Sequence, residues 1–212
     1  MKRQSKVDTA WSPGLAYVVG IIATDGNLSP DGRHINITSK DEEMVQTVKK
    51  LLRLENKIGK KARGYSNDKK YFVFQFGDIN FYEFLISIGL MPAKSKILKA
   101  VDIPSLFFRD FLRGCIDGDG SISISRHPES RLPQLRVRLV SASLDFLVWI
   151  HRSIRNECKV EGGYTYHARR KSVYTLSFGK ADSMKIIKSM YYKKSLPSLK
   201  RKRSIVSKMG GW

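Results

Sequence analysis

The chain has 212 residues, 42% of them hydrophobic, and carries 39 Lys plus Arg against 19 Asp plus Glu, a formal net charge of +20. That apolar content at that length fills one larger core or two small ones and excludes a disordered chain, while the surplus of cations makes a polyanion the expected partner. A membrane span is excluded, because the longest apolar run, 15–23, is interrupted by Gly20 and falls well short of the ~20 residues a bilayer requires.

Taken from the N-terminus, Lys2, Arg3 and Lys6 are not followed by a long apolar segment with a cleavage site, so no signal peptide is expected. An apolar helix over 15–24 closes on Gly20-Ile-Ile-Ala-Thr-Asp25-Gly26. His34-Ile-Asn-Ile-Thr38 alternates with period two as a strand, and Met44, Val45, Val48, Leu51 and Leu52 recur at helical spacing. Tyr71 to Gly77 is a second alternating run, followed by an amphipathic helix marked by Phe81, Phe84, Leu85 and Ile88. A linker over 93–104 is bounded by Pro92 and Pro104.

The same features then return. A helix over 107–118 closes on Gly114-Cys-Ile-Asp-Gly-Asp119-Gly120, with Asp119 placed 94 residues after Asp25. Leu135 to Leu139 alternates as a strand, Phe146, Leu147, Ile150 and Ile154 mark a helix, Val173 to Gly179 is a further strand, and Met184, Ile186, Ile187 and Met190 mark the last helix. The span from Gly120 to Val140 is nine residues longer than that from Gly26 to Ile37, which predicts a longer hairpin in the second copy. The reading is a duplicated chain with repeats over 11–92 and 105–208. Its expected class is α+β: two pseudo-symmetric αββαββα units, each with an antiparallel sheet. Cys115 and Cys158 fall in apolar-periodic segments and are expected to be buried thiols, which excludes a disulfide scaffold or cysteine zinc site.

Each motif helix carries small residues four apart, Gly20 and Thr24 in one, Gly114 and Gly118 in the other, a spacing that lets two backbones approach closely. If the helices pack side by side, Asp25 and Asp119 meet at their C-terminal ends. Two carboxylates beside the negative ends of helix dipoles repel each other, and a hard divalent cation with oxygen ligands relieves that repulsion. A single Asp-Gly after a helix reads as a turn; two matched copies in a duplicated unit read as a paired metal site.

Phe111-Leu-Arg-Gly-Cys-Ile-Asp-Gly-Asp-Gly-Ser-Ile122, together with Leu15-Ala-Tyr-Val-Val-Gly-Ile-Ile-Ala-Thr-Asp-Gly26, resembles the paired signatures of the single-chain LAGLIDADG homing endonucleases. The first-repeat copy departs at Ala23, where the signature has its first Asp. The resemblance implies bent sheets forming a DNA-binding saddle with the motif helices at the domain interface. It implies metal ligation by Asp25 and Asp119 with the backbone oxygens of Thr24 and Gly118, catalysis by those carboxylates, and a Mg²⁺ requirement, with Mn²⁺ or Ca²⁺ able to occupy the same sites. It also implies a basic residue after the last helix of each half. The matching positions are Lys94 and Lys200, with Lys96 and Lys202 as neighbours in the same clusters. A water-ordering polar residue at the end of the second strand would fall at Ser39 and at Ala142.

Period-two alternation sends one face of each strand outward. The outward sets are Asn36 and Thr38; Lys61, Arg63 and Tyr65; Tyr71 and Gln75; Ser121, Ser123 and Ser125; Arg136 and Arg138; Thr165, His167 and Arg169; and Thr175 and Ser177. A bent sheet of this chemistry suits the major groove, where Arg reads guanine and Asn or Gln reads adenine. Residues 1–104 hold 17 basic and 11 acidic groups (+6) and residues 105–212 hold 22 and 8 (+14), so the second half is expected to bind more phosphate. Segments 53–70 and 193–208, with seven Lys or Arg each, read as loop and tail contacts to phosphate. The expected activity is site-specific, metal-dependent hydrolysis of both strands of an asymmetric duplex by a monomer. The alternatives are an intron maturase, whose partner would be intron RNA, and a non-cleaving nucleic-acid binder.

Overall fold

The computed structural model describes residues 5–62, 68–125, 133–167 and 172–207. The first half runs α1 (Pro13–Asp25), β1 (Gly26–Leu28), β2 (His34–Ser39), α2 (Glu42–Leu51), β3 (Ile58–Lys61), β4 (Tyr71–Gly77) and α3 (Ile79–Ser87). The second repeats that order as α4 (Ser105–Asp119), β5 (Gly120–Ser125), β6 (Gln134–Ser141), α5 (Leu144–Cys158), β7 (Tyr164–His167), β8 (Tyr174–Phe178) and α6 (Lys180–Met190), then adds α7 (Lys200–Ser207). The strand orders β1-β2-β4-β3 and β5-β6-β8-β7 are the same, and every pairing is antiparallel. No helix among the described residues is long and apolar enough to cross a membrane.

Helix α1 starts where Ser12 accepts a hydrogen bond from the Leu15 amide at 3.1 Å and Pro13 occupies the first turn. Residues 15–23 of α1 are buried on every side, because the helix is covered by its own sheet and by α4. Glycine permits that contact. A Cβ on Gly114 would collide with the Tyr17 carbonyl, and one on Gly20 would meet the Phe111 carbonyl and stand 2.9 Å from the Cys115 amide. The two half-cores therefore join through the motif helices. Trp11 adds a second seam, its ring 5.4 Å from Phe84 and 6.4 Å from Phe107.

Within each sheet the pleat separates two faces. Ile35, Ile37, Phe74 and Phe76 are buried beneath the first sheet, and Leu135, Val137, Leu139, Leu176 and Phe178 beneath the second. Cys115 and Cys158 are buried free thiols. The interval 93–104 is less a tether than a packed strap: it contains a 3₁₀ turn at Lys94–Lys96 and buries Leu98 and Val101. The tail is likewise helical over Lys200–Ser207, with Lys202 and Val206 buried.

Candidate active site

The C-terminal ends of α1 and α4 come together along the glycine contact, and both motif helices continue to the acidic residue itself. Asp25 ends α1 and Asp119 ends α4. The approach is close enough that a Cβ on Gly118 would overlap the Thr24 hydroxyl and stand 2.7 Å from Asp25 Oδ2. Both aspartates and Lys94 line a cavity of about 850 Å³, together with Thr24, Asn36, Thr38, Ser39, Asp41, Lys61 and Gly118. Burial and the negative charge of Asp119 push the Asp25 carboxyl up to about 7, and burial raises Asp119 as well. Two carboxylates held against their preference for water and, at Asp25, against each other form a centre that gains from a cation.

Two lysines bear on this centre: Lys94 lines the cavity, and the charge of Lys202 acts on both aspartates. Lys94 is 5% exposed and donates from Nζ to the carbonyl of Gly26, the first residue of β1. Its backbone is set by the residue before it, Ala93, which has a left-handed φ of 52° at a position where L side chains are uncommon. In the second half Lys202, 2% exposed, donates from Nζ to the carbonyl of Gly120, the first residue of β5, at 2.8 Å. It also reaches the carbonyls of Ile116 at 2.5 Å and Asp117 at 2.7 Å. Burial lowers both ammonium groups to about 8, opposed at Lys94 by Asp119 and Asp25 and at Lys202 by Asp117.

Lys200, the position assigned from the sequence, is 91% exposed at its side chain and faces Glu43 at 3.8 Å. Two residues further along α7 is a different face of the helix, and from it Lys202 reaches the α4 carbonyls. The polar residue at the end of β6 lies one position earlier than the sequence expectation placed it. Gly26 pairs with Ile37 and Gly120 with Leu139, so Ser39 corresponds to Ser141, not to Ala142. Ser39 accepts from the Asp41 amide and Ser141 from the Ser143 amide, each at 3.1 Å.

The outward faces also sort themselves by register. Asn36, Thr38, Gln75 and Lys61 share one face of the first sheet, the face away from Phe74 and Phe76. Ser121, Ser123, Arg136 and Arg138 share the matching face of the second. His167 does not join them. It pairs with Tyr174, two residues from the core-facing Leu176, and its ring packs 4.9 Å from Tyr174. Tyr164 and Tyr166 take that place, 53% and 42% exposed with ring centroids 5.7 Å apart. Thr175 and Ser177 lie on the same face but are buried. Arg63, Tyr65 and Arg169 lie outside the described residues.

Sequence reasoning missed the residues that fix α7. Arg113 is fully buried and donates to the carbonyls of Met190 and Pro197, each at 2.8 Å, and to Asp110 at 2.7 Å. Asp117 accepts from the Leu199 amide and from the Tyr17 hydroxyl, each at 2.9 Å. Arg201 makes a two-pronged pair with Asp41 at 3.0 and 2.7 Å, which ties the tail of the second half to the first. Arg113 and Asp117 carried a signal, since each stands among the apolar positions that α4 buries.

Residues 12–89 match the family model of the LAGLIDADG-like domain. Among solved structures, the chain is similar to the I-LtrWI LAGLIDADG homing endonuclease bound to target DNA, with a TM-score of 0.61 and 13% identity over 93% of this chain and 89% of that one. It is similar to I-DmoI in complex with DNA and Ca, with a TM-score of 0.59 and 17% identity over 92% and 98%; other I-DmoI complexes were solved with target DNA in the presence of Mg or Mn. It is also similar to full-length DUF199/WhiA from Thermatoga maritima, with a TM-score of 0.57 and 13% identity over 94% of this chain and 61% of that one. No curated protein matches the chain. Residues 12–89 therefore form a LAGLIDADG-like domain, and the whole chain has the two-repeat LAGLIDADG fold.

Proposed function

We propose that this protein is a site-specific DNA endonuclease that hydrolyses both strands of an asymmetric duplex with a staggered cut, acting as a monomer with a divalent cation. The observation that carries the reading is the meeting of Asp25 and Asp119 beside a shared cavity, with a buried lysine reaching the first strand residue after each of them. The donor set fits a hard cation: two carboxylates whose pKa values are raised by burial and two adjoining backbone carbonyls. Asp25, Asp119 and the backbone oxygens of Thr24 and Gly118 would hold Mg²⁺, or Mn²⁺ or Ca²⁺ in its place; when bound, the ion offsets phosphate charge and acidifies water.

The protein's own groups supply the rest. Protonated Lys94 and Lys202 place positive charge at the centre, where it opposes the negative charge that develops on a phosphate under attack. Their hydrogen bonds to Gly26 and Gly120 hold the ammonium groups in place before any substrate arrives. The polar faces of the two sheets flank the centre and offer Asn, Gln, Ser and Arg to a duplex, in keeping with the DNA-bound structures of I-LtrWI and I-DmoI.

A second reading is a nucleic-acid binder that does not cut. It is favoured by the fact that, although Asp41 lines the same cavity, among the described residues no group of three His, Cys, Asp or Glu is placed to hold a metal ion. Asp25→Asn and Asp119→Asn separate the two. Each is expected to lower single-turnover cleavage in Mg²⁺ at least about a hundredfold, the scale of losing one preorganised electrostatic group, while duplex affinity in EDTA is kept. Full cleavage by either variant would refute the assignment.

A further inference from the structure

The pseudo-symmetry allows the two recognition faces to be compared row by row. The first sheet pairs Gly26 with Ile37 and the second pairs Gly120 with Leu139, so the next step outward on each face is an equivalent row of three residues. In the first sheet that row is Asn27, Asn36 and Gln75. In the second it is Ser121, Arg138 and Ser177.

The two rows have different chemistry. The first is made of carboxamides, with Asn27 and Gln75 exposed. They are linked: Thr38 Oγ1 donates to Asn36 Oδ1 at 3.0 Å, and Asn36 Nδ2 donates to Gln75 Oε1 at 3.5 Å. A carboxamide offers one donor and one acceptor side by side, the complement of adenine N7 and N6 in the major groove. In the second row both neighbours are serines. Ser177 is fully buried, and its hydroxyl has no hydrogen-bond partner among the described residues. Tyr164 continues the row beyond Ser177, which leaves Arg138 as the charged side chain of its row, leaning on Ser123 with Nη1 3.4 Å from Oγ. A guanidinium offers donors alone, the complement of guanine O6 and N7.

We infer that these rows make Asn36–Gln75 and Arg138 specificity-determining. At the pair of target positions related by the pseudo-twofold axis, the first half-site carries A·T and the second carries G·C. The inference rests on the proposed reading of the sheets as a duplex-binding surface, and it does not require cleavage.

The test is binding selection from a randomised duplex library with the full chain, in EDTA at fixed salt, followed by sequencing of the retained duplexes. The expected result is A·T on one side and G·C at the symmetric position. Arg138→Ala should lower the preference for G·C at that position alone by about tenfold to a hundredfold, the fold-change of one bidentate base contact. Arg138→Gln should turn the same position from G·C to A·T, a gain that an unfolded variant could not show. Identical base pairs at both positions, a G·C preference unchanged by Arg138→Ala, or binding without sequence preference would overturn the inference. A split preference without cleavage in Mg²⁺ would support it and retire the endonuclease reading alone.

Discussion

At the scale of single residues, the centre is a set of charges that the fold holds against their preference for water. Asp25 sits at about 7 through burial and Asp119, and Lys94 and Lys202 at about 8 through burial. The signs have a consequence for stability. An acid whose folded pKa is raised contributes stability below its unfolded value, near pH 4, and loses it as pH rises through about 7. A lysine whose folded pKa is lowered contributes above its unfolded value and loses it as pH falls through about 8. Between about 7 and 8 all these groups carry charge, so the cation-free protein gains least from this cluster there. Mg²⁺ must displace the proton on Asp25, so its stabilisation should grow with pH. Melting with 10 mM Mg²⁺ against EDTA, a concentration on the order of that needed for a weak carboxylate site, is expected to show a larger rise at pH 8 than at pH 5.5. Asp25→Asn should abolish the difference, and an equal rise at both pH values would contradict the linkage.

At the scale of elements, the close pair α1 and α4 sets the carboxylates and α7 sets the second lysine. The first is legible in the sequence, because Gly20, Gly114 and Gly118 stand at the spacing that close helix contact requires, and the structure shows a Cβ would collide at each. The strand alternation is equally legible where a strand is half-buried, as at Ile35 and Ile37 or Leu135, Val137 and Leu139. It fails at β7, an edge strand whose Tyr164, Tyr166 and His167 are all exposed. Burial there leaves no period to read, and register alone decides the face. It also fails at α7, where Lys200, Arg201, Lys202 and Arg203 follow one another without an apolar period. Their sorting depends on partners distant in sequence: Asp117 for Leu199, Asp41 for Arg201, and the carbonyls of Ile116, Asp117 and Gly120 at the end of α4 for Lys202. The helical phase gives a direct contrast. Lys202→Met is expected to lower cleavage by about a hundredfold, as for loss of a preorganised charge, while Lys200→Met stays within about twofold, as for a surface ion pair of small worth. Melting curves of both variants separate that effect from unfolding, and equal losses in folded variants would return the role to Lys200.

At the scale of the whole molecule, duplication inside one chain frees the halves to diverge while the junction between them stays fixed. The strand order is kept, the lysine–carbonyl contact is kept, and the serine at the end of the second strand is kept at Ser39 and Ser141. What diverges is the outward face of each sheet and the charge, +6 in residues 1–104 against +14 in residues 105–212. A centre that is symmetric and faces that are not suit a single asymmetric target, with both cuts made around one pseudo-twofold axis. The measurement that bears most directly on this account is selection of cut duplexes from a randomised library with the intact protein in Mg²⁺, with EDTA as the control. The account predicts one asymmetric site, cut on both strands in Mg²⁺ and on neither in EDTA. Binding of that library without any cut product, or cutting that persists in EDTA, would contradict it.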